Sequence, residues 1–339
     1  MSMTKRNIMN KKDLKIVFLG TPEFAVESID RMITAGYNVV AVVTAPDKIA
    51  GRGHKLLQSD VKKYALEKGL DILQPTNLKD EKFLEQLKAY DADLFVVIAF
   101  RMLPKAVWQM PPMGTFNLHA SLLPRYRGAA PINRAVMNGE KETGVTTFFL
   151  KHEIDTGDII AQEKISIADD ENVGSVYDRL MKLGADMVEK TLDMIVESDG
   201  NLPVIPQPEG EFIPAPKIFT ADCIIDWNQP AEKIRNIIRG LSPYPAARSF
   251  IKDNKGNILS LKVFSAHLTD LDELEDAASG EIAFDSKHLY VKCEDRVLSL
   301  DDVQLQGKKR MPIDAFLLGY HPSPGQNLNT NTAEADAGK

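Results

Sequence analysis

The chain has few of the features that mark secreted, membrane or metal-binding proteins. It has two cysteines among 339 residues, Cys223 and Cys293, and they lack the close spacing of a metal-binding pair. So few cysteines, so far apart, are typical of a reducing compartment, and we expect no disulfide between them. The longest apolar run, Leu94 to Phe100, is far too short to span a bilayer, and no signal-peptide segment follows the basic tail 1–13. These absences predict a cytoplasmic protein without a membrane segment.

The chain also lacks a net positive charge. Its 41 Lys and Arg residues against 48 Asp and Glu residues leave a formal net charge of -7. Because nucleic-acid-binding proteins usually carry a basic surface, this balance argues mildly against a nucleic-acid partner. Two local clusters could still contact phosphate: the loop around Arg52 and Lys55, and the run Lys308-Lys309-Arg310. By pattern alone, a solvated surface fits the loop at least as well, and a basic run such as 308–310 is as a rule a solvated face.

The first 200 residues alternate between apolar runs and amphipathic segments. Leu14 to Leu19 and Val39 to Val43 are predicted strands, and the helix between them starts at Pro22. A strand, a helix and a second strand in this space predict a parallel sheet with a right-handed crossover. The glycine fingerprint G-x-G-x-x-G is absent after the first strand, so we expect no dinucleotide site. The prediction is a Rossmann-like, mostly parallel sheet with helices on both faces and with residues 93–100 at its centre.

A stretch with five prolines, residues 201–217, separates this region from a different pattern. One helix at 231–241 and several short strands follow, which predict a small β-barrel of the oligonucleotide-binding type. The polar stretch 44–57 is expected to be a loop. The predicted organisation is a flexible tail (1–13), an α/β domain (14–200), a proline-rich linker (201–217), a β-barrel domain (218–324) and a disordered tail (325–339).

A polar pair stands at the end of a predicted strand that begins at Thr115. Asn117 and His119 are two residues apart, so they point to the same face of that strand. An amide beside an imidazole can stabilise negative charge on a carbonyl oxygen, and the imidazole can also move a proton. Spacing alone leaves open that Asn117 merely ends the strand and that His119 is a core histidine. The acidic loop that contains Asp155 has, by local pattern, the composition of a turn.

Longer strings around these residues resemble the folate-dependent formyltransferases. They are N-L-H at 117–119, S-L-L-P at 121–124, R-G-A-A-P-I at 127–132 and E-I-D-T-G-D at 153–158. The resemblance extends from about Leu14 to Asn327, nearly the whole chain. It implies that 10-formyltetrahydrofolate is the formyl donor, that no metal takes part, and that Asn117, His119 and Asp155 are the catalytic residues.

The resemblance also implies a folate site. Its residues would be Ser121, Leu122, Leu123 and Pro124, together with Phe100, Met102 and Leu103 at a strand end. Family members commonly have Tyr-Gly-x where this chain has Phe100-Arg101-Met102. Arg101 therefore bears on the shape of the pterin pocket.

A barrel after a proline-rich linker, together with the glycine-flanked Arg52, favours a tRNA acceptor within this family. The implied partner is initiator methionyl-tRNA, formylated on the α-amino group of its methionine by a monomeric enzyme. The implied tRNA contacts are Arg52, Lys55, Lys308, Lys309 and Arg310. Two alternatives stay open, namely a formyltransferase that acts on an amino sugar or another small amine, and a non-catalytic RNA-binding protein.

Overall fold

The computed structural model describes residues 10–50, 55–208, 210, 212–253, 255–271, 274, 276–323 and 326–328. They form two compact units. The N-terminal unit comprises the described residues up to 128, 143–165 and 178–214, and the C-terminal unit comprises 129–142, 166–177 and those from 215 onwards. Of the predicted tail 1–13, residues 1–9 lie outside the described ranges, whereas Lys11 forms an ion pair of 2.5 Å with Asp193.

The strands are numbered along the chain. They are β1 (Lys15–Gly20), β2 (Asn38–Val43), β3 (Lys48–Ala50), β4 (Lys55–Leu57), β5 (Ile72–Leu73), β6 (Leu94–Ile98), β7 (Thr115–His119), β8 (Arg127–Gly128), β9 (Glu142–Phe149), β10 (Ile159–Ser166), β11 (Pro214–Ala215), β12 (Ala247–Lys252), β13 (Ile258–Thr269), β14 (Ile282–Phe284), β15 (Leu289–Lys292), β16 (Val297–Leu305) and β17 (Met311–Pro312).

The helices are numbered in the same way. They are α1 (Glu23–Thr34), α2 (Asp60–Lys68), α3 (Glu81–Ala89), α4 (Lys105–Trp108), α5 (Pro131–Met137), α6 (Val173–Glu197), α7 (Ala231–Leu241) and α8 (Ile313–Gly319), with a 3₁₀ turn at Thr220–Cys223. Side chains cap the start of two of them: Ser59 accepts a hydrogen bond from the amide of Lys62, and Asp80 accepts one from the amide of Phe83.

The N-terminal unit is built on a seven-stranded sheet in the order β10-β9-β7-β6-β1-β2-β5. The pairings from β7 through β5 are parallel, whereas β9 runs antiparallel to β7. All five residues of β6 are buried, and β6 is the fourth strand of the seven. The predicted mostly parallel sheet, with residues 93–100 at its centre, is confirmed, because only a strand covered on both faces is apolar throughout.

The carboxyl ends of three neighbouring strands meet at one edge of this sheet. Ile98 of β6 pairs with Gly20 of β1 on one side and with Leu118 of β7 on the other. A Cβ at Gly20 would lie 2.7 Å from the ring of Phe18, so this strand end needs glycine for packing. Open α/β sheets bind their ligands at such an edge, which places His119 where chemistry is expected.

The C-terminal unit is an antiparallel half-barrel. Its sheet has the order β12-β13-β16-β15-β14, and β17 pairs with β16. Helix α7 has the predicted bounds, and its buried Ile234, Ile238 and Leu241 pack into the core of this unit. The core also holds Trp227, whose indole nitrogen donates to the hydroxyl of Ser249 at 3.0 Å. An indole N–H buried with a partner costs little, so this large ring can sit fully inside the core.

The structure corrects two predictions at element boundaries. The stretch 44–57 is not a plain loop, because β3 and β4 pair antiparallel within it; strands of three residues are too short to show an alternating pattern in the sequence. The predicted disorder beyond residue 324 is wrong for 326–328. Leu328 is fully buried and its amide donates to the carbonyl of Gly280 at 2.7 Å, while residues 329–339 lie outside the described ranges.

Both cysteines are buried and free. Burial raises the pKa of the Cys293 thiol to about 12, so this group stays protonated and unreactive at neutral pH. Within the described residues, no helix combines the length and the apolar character that crossing a membrane requires. In the same ranges, no three His, Cys, Asp or Glu side chains converge as metal ligands would.

Candidate active site

His119 is the last residue of strand β7. Its side chain is buried, and one ring nitrogen is hydrogen-bonded to the backbone. Its Nε2 lies 2.8 Å from the backbone oxygen of Tyr126. A carbonyl oxygen only accepts hydrogen bonds, so Nε2 must carry a proton. The other nitrogen, Nδ1, faces the carboxylate of Asp155, with 3.8 Å between Nδ1 and Oδ2. Neutral His119 therefore presents the lone pair of Nδ1 to Asp155, and charged His119 presents an N–H.

Asp155 is held in place by its backbone and by an amide. Its carboxylate oxygen Oδ2 accepts a hydrogen bond of 3.0 Å from the backbone nitrogen of Gly128. The φ angle of Asp155 is 54°, in the left-handed region, which costs a residue other than glycine about 1 kcal/mol. Its side chain is 11% exposed. The loop thus delivers a mostly buried carboxylate to His119 and accepts backbone strain in doing so.

Gly157 allows the Asp155 loop to lie against the end of β9. A Cβ at Gly157 would stand 1.5 Å from the backbone oxygen of Phe149, far inside any tolerable contact. The neighbouring amide of Phe149 donates to the oxygen of Asp158 at 3.0 Å, which closes the loop on the strand. A residue with any side chain at 157 must therefore push the loop away from β9.

We expect Gly157→Ala to lower turnover at this candidate site by about 10²-fold, since displacing a group by about 1 Å in an active site has an effect of that size. The displaced group is the Asp155 carboxylate. The measurement is steady-state kinetics beside thermal unfolding. Gly319→Ala is the matched control, because a Cβ at Gly319 meets nothing within 4 Å. A Gly157→Ala protein with wild-type kcat would show that the position of this loop does not matter.

Asn117 shares the face of β7 with His119. Its amide oxygen Oδ1 is buried and has no hydrogen-bond partner among the described residues. Burying such an oxygen without a partner costs about 1–3 kcal/mol. A buried amide oxygen without a partner, on the same strand face as His119, can accept a hydrogen bond from an N–H of a ligand.

The predicted folate residues 121–124 form a tightly bonded loop beside this group. The hydroxyl of Ser121 is buried and donates to the oxygen of Arg125 at 2.7 Å, so it shapes the loop and does not face a ligand. Leu123 is buried against Phe148 and Ile159, whereas Leu122 and Pro124 are half-buried. The peptide bond between Leu123 and Pro124 is cis.

The second group of predicted folate residues follows β6. Phe100 and Leu103 are partly buried against the core of the sheet, and Met102 is 73% exposed. Arg101, the departure from the family pattern, has its guanidinium 5.7 Å from the ring centroid of Phe100. Its guanidinium donates to the backbone oxygen of Thr76 at 2.9 Å and also to that of Pro75. The guanidinium of Arg101 is therefore engaged by backbone oxygens of this chain.

The structure describes some of the residues predicted to contact tRNA. Arg52 and the side chain of Lys55 lie outside the described residues. Lys308 and Lys309 are exposed in the C-terminal unit. Arg310 is engaged already: its Nη2 lies 2.6 Å from the carboxylate of Asp302 and its guanidinium stacks 4.2 Å from the ring centroid of Phe264.

Sequence analysis missed the groups that hold the side chains of His119 and Asp155 in position. The backbone oxygen of Tyr126 and the amide of Gly128 have no side-chain signature. Gln207 bonds to the backbone of Asp155 across 52 residues, from inside the stretch predicted to be a linker. No local pattern predicts such a contact, because it exists only in the folded chain.

Two family profiles together match most of the chain. Residues 14–192 match the family described as Formyl transferase, and residues 217–321 match Formyl transferase, C-terminal domain. Curated relatives agree. The chain is 53% identical over 318 residues to the methionyl-tRNA formyltransferase of Bacteroides fragilis, a match that covers 92% of this chain and 97% of the relative. It is 50% identical over 325 residues to the methionyl-tRNA formyltransferase of Bacteroides thetaiotaomicron, a match that covers 95% of this chain and 100% of the relative.

Solved structures share the fold at much lower identity. HypX from Aquifex aeolicus in complex with tetrahydrofolic acid superposes with a TM-score of 0.59 at 19% identity. That match covers 91% of this chain, which spans 48% of the length of HypX. The N-formyltransferase from Helicobacter canadensis, in complex with folinic acid and dTDP-3-aminofucose, has a TM-score of 0.61 at 18% identity, covering 88% of this chain and all of that one. At these identities the likeness concerns the fold.

Proposed function

The chain belongs to the formyl transferase family, and from that premise we propose that Asn117, His119 and Asp155 catalyse formyl transfer from 10-formyltetrahydrofolate to methionyl-tRNA. The acceptor is the α-amino group of methionine esterified to initiator tRNA, and the product serves translation initiation. Relatives named for this activity are 50–53% identical over nearly the whole chain. The observation that supports the site is the Nδ1 of His119 facing the Asp155 carboxylate at 3.8 Å.

The residues at the strand ends suit a folate. Leu122, Pro124, Phe100 and Leu103 are half-buried and apolar, as are the side chains that usually line the sites of ring systems. The buried Oδ1 of Asn117, which lacks a partner in the described part of the chain, can accept from an N–H of a ligand. When bound, 10-formyltetrahydrofolate supplies the formyl group. We assign its site to these residues.

His119 stabilises charge through Nδ1. Because Nε2 is held by the oxygen of Tyr126, the imidazole ring is fixed, and Nδ1 is the nitrogen that changes protonation. As the amine adds to the formyl carbon, negative charge develops on the formyl oxygen, and the positive charge of a protonated His119 stabilises it. Neutral Nδ1 can instead take a proton from the nucleophilic nitrogen.

Asn117 and Asp155 have different roles in this step: one acts on the formyl oxygen and the other on His119 and the transferred proton. The amide N–H of Asn117 donates to the formyl oxygen, where the charge develops. The carboxylate of Asp155 stabilises the imidazolium of His119 and relays the proton from the attacking nitrogen towards the leaving nitrogen, directly or through water. At 3.8 Å, Nδ1 and Oδ2 are farther apart than a direct hydrogen bond, so in this structure the carboxylate acts on the imidazole as a nearby negative charge.

The C-terminal unit and the stretch of sequence around Arg52 are assigned to tRNA binding. Lys308 and Lys309 are exposed and free of carboxylate partners among the described residues, so they are the better phosphate contacts of the basic run. Arg310 contributes less, because its charge already meets Asp302. We further propose that the enzyme is a cytoplasmic monomer, consistent with two buried, reduced cysteines.

The test is formyl transfer from 10-formyltetrahydrofolate to three acceptors: methionyl-initiator tRNA, uncharged tRNA and an amino-sugar nucleotide. We expect product with methionyl-tRNA alone. Product with the sugar alone would keep the chemistry and overturn the tRNA assignment. No product with any acceptor, together with no binding of tetrahydrofolate, would favour an RNA-binding protein without catalysis.

A further inference from the structure

Gln207 uses every hydrogen-bonding position of its side chain within the N-terminal unit. Its Nε2 donates to the backbone oxygen of Asp155 at 2.9 Å and to that of Gly157 at 2.7 Å. Its Oε1 accepts from the Nε of Arg127 at 3.1 Å and from the Nη2 of Arg127 at 2.5 Å. A glutamine amide has two N–H donors and two acceptor lone pairs, so this side chain is fully satisfied.

The two segments that Gln207 joins are the ones that hold the Asp155 carboxylate. One is the loop from Asp155 to Gly157, whose backbone sets the direction of the side chain. The other is β8, where Arg127 immediately precedes the Gly128 amide that donates to Oδ2 of Asp155 at 3.0 Å. Gln207 therefore fixes the distance between the carboxylate and its backbone donor.

The segment that carries Gln207 is itself anchored on both sides. On one side, the backbone groups of Ile205 exchange two hydrogen bonds of 2.8 Å with Ile159 at the start of β10. On the other, the oxygen of Ile213 accepts from the amide of Tyr126 at 2.6 Å. The oxygen of the same Tyr126 holds Nε2 of His119. Gln207 thus bonds to the backbone of Asp155, and Ile213 bonds to the residue whose oxygen holds His119.

We infer that Gln207 is a positioning residue for formyl transfer, which keeps the Asp155 carboxylate opposite Nδ1 of His119. The inference rests on the proposed function, because it takes Asp155 as the catalytic carboxylate. Gln207 acts through Asp155 and touches no reacting atom. The backbone of Asp155 lies in the left-handed region, and the two bonds from Nε2 oppose its return to an ordinary conformation.

The first test compares kcat and KM for Gln207→Met, Gln207→Glu and wild type. Methionine keeps the length of the side chain without its hydrogen bonds, and glutamate keeps the acceptor for Arg127 but loses both donors. We expect kcat to fall by about 10²-fold in both variants, with each KM within about threefold of wild type. Gln326→Met is the matched control, since it removes a glutamine donor to the backbone oxygen of Lys252 (2.7 Å) in the C-terminal unit.

A second measurement distinguishes positioning from general support. In an Asp155→Asn background, Gln207→Met should lower kcat by less than about twofold further, because residues acting through one group are not additive. Independently of activity, the amide hydrogen of Gly128 reports on the carboxylate that it bonds. Its hydrogen exchange, followed by NMR, should be about tenfold faster in Gln207→Met and unchanged in Gln326→Met.

Wild-type kcat in Gln207→Met and Gln207→Glu would overturn the inference. The inference would also be overturned if Gln207→Met lowered kcat by the same factor in the wild-type and Asp155→Asn backgrounds. Unchanged hydrogen exchange of the Gly128 amide in Gln207→Met would overturn it as well. If the wild-type enzyme itself formylates no methionyl-tRNA, the proposed function fails, and the exchange of the Gly128 amide still decides whether Gln207 positions Asp155.

Discussion

Replacing His119 by glutamine is expected to lower kcat for formylation of methionyl-tRNA by about 10³-fold, within the range for loss of a general acid or base. Glutamine is chosen because it keeps one contact of the histidine and removes the other. Its amide nitrogen can take the place of Nε2 and donate to the oxygen of Tyr126, which His119 contacts at 2.8 Å. The fold is therefore kept, and what disappears is Nδ1, the group that faces Asp155.

Two further measurements on His119→Gln distinguish a loss of chemistry from a loss of binding or folding. They are its affinity for tetrahydrofolate and its thermal unfolding. Both should stay close to wild type, because the contact with Tyr126 survives. The exposed His288 provides a control: His288→Gln removes an imidazole that pairs with Asp285 at the surface of the C-terminal unit, and it should leave kcat unchanged. If His119→Gln retained wild-type turnover, His119 would be a core histidine, as its spacing alone allows.

Replacing Asn117 by leucine is expected to separate activity from stability. Loss of an amide that donates to a developing oxyanion lowers kcat by about 10²–10³-fold, or about 2.7–4 kcal/mol. Leucine has nearly the same size and removes the buried Oδ1 that has no partner in the described part of the chain. Removing an unsatisfied buried group stabilises the fold, so the inactive variant should unfold a few degrees above wild type.

Thermal unfolding and single-turnover kinetics check both halves of this expectation. Asn77→Leu is a suitable control, because Asn77 lies in an exposed turn and its amide oxygen accepts from the amide of Lys79. It should leave kcat unchanged. Asn117→Leu with wild-type kcat would exclude the oxyanion role, and a large drop in melting temperature would show that Asn117 is needed for the fold.

Sequence patterns predicted the parts of this protein that depend on neighbours along the chain. Period-two spacing put Asn117 and His119 on one face of β7, and the uniform apolar run 94–98 became the central strand. Helix α7 has the predicted bounds because its apolar residues follow one face through a full eleven residues. Each of these features is local, and each is confirmed.

The remaining features depend on contacts between distant segments. Asp155 approaches His119 because Gly157 lets its loop lie on β9, and family resemblance rather than local pattern pointed to it. The hairpin of β3 and β4 was missed because three-residue strands are held by backbone pairing and have no apolar alternation. Gln207 sits in a proline-rich stretch, which by composition looks like a connection between domains and instead contributes to the site.

The most direct test of the account is a double-mutant cycle on His119 and Asp155, followed by single-turnover formylation of methionyl-initiator tRNA. Asp155→Asn is the partner variant, because asparagine tolerates the left-handed backbone at this position and removes only the charge. We predict that each single variant slows the step by about 10²–10³-fold and that the double variant is within about threefold of the slower single variant. Losses that multiply, or Asp155→Asn at the wild-type rate, would contradict a mechanism in which the two residues act as one unit.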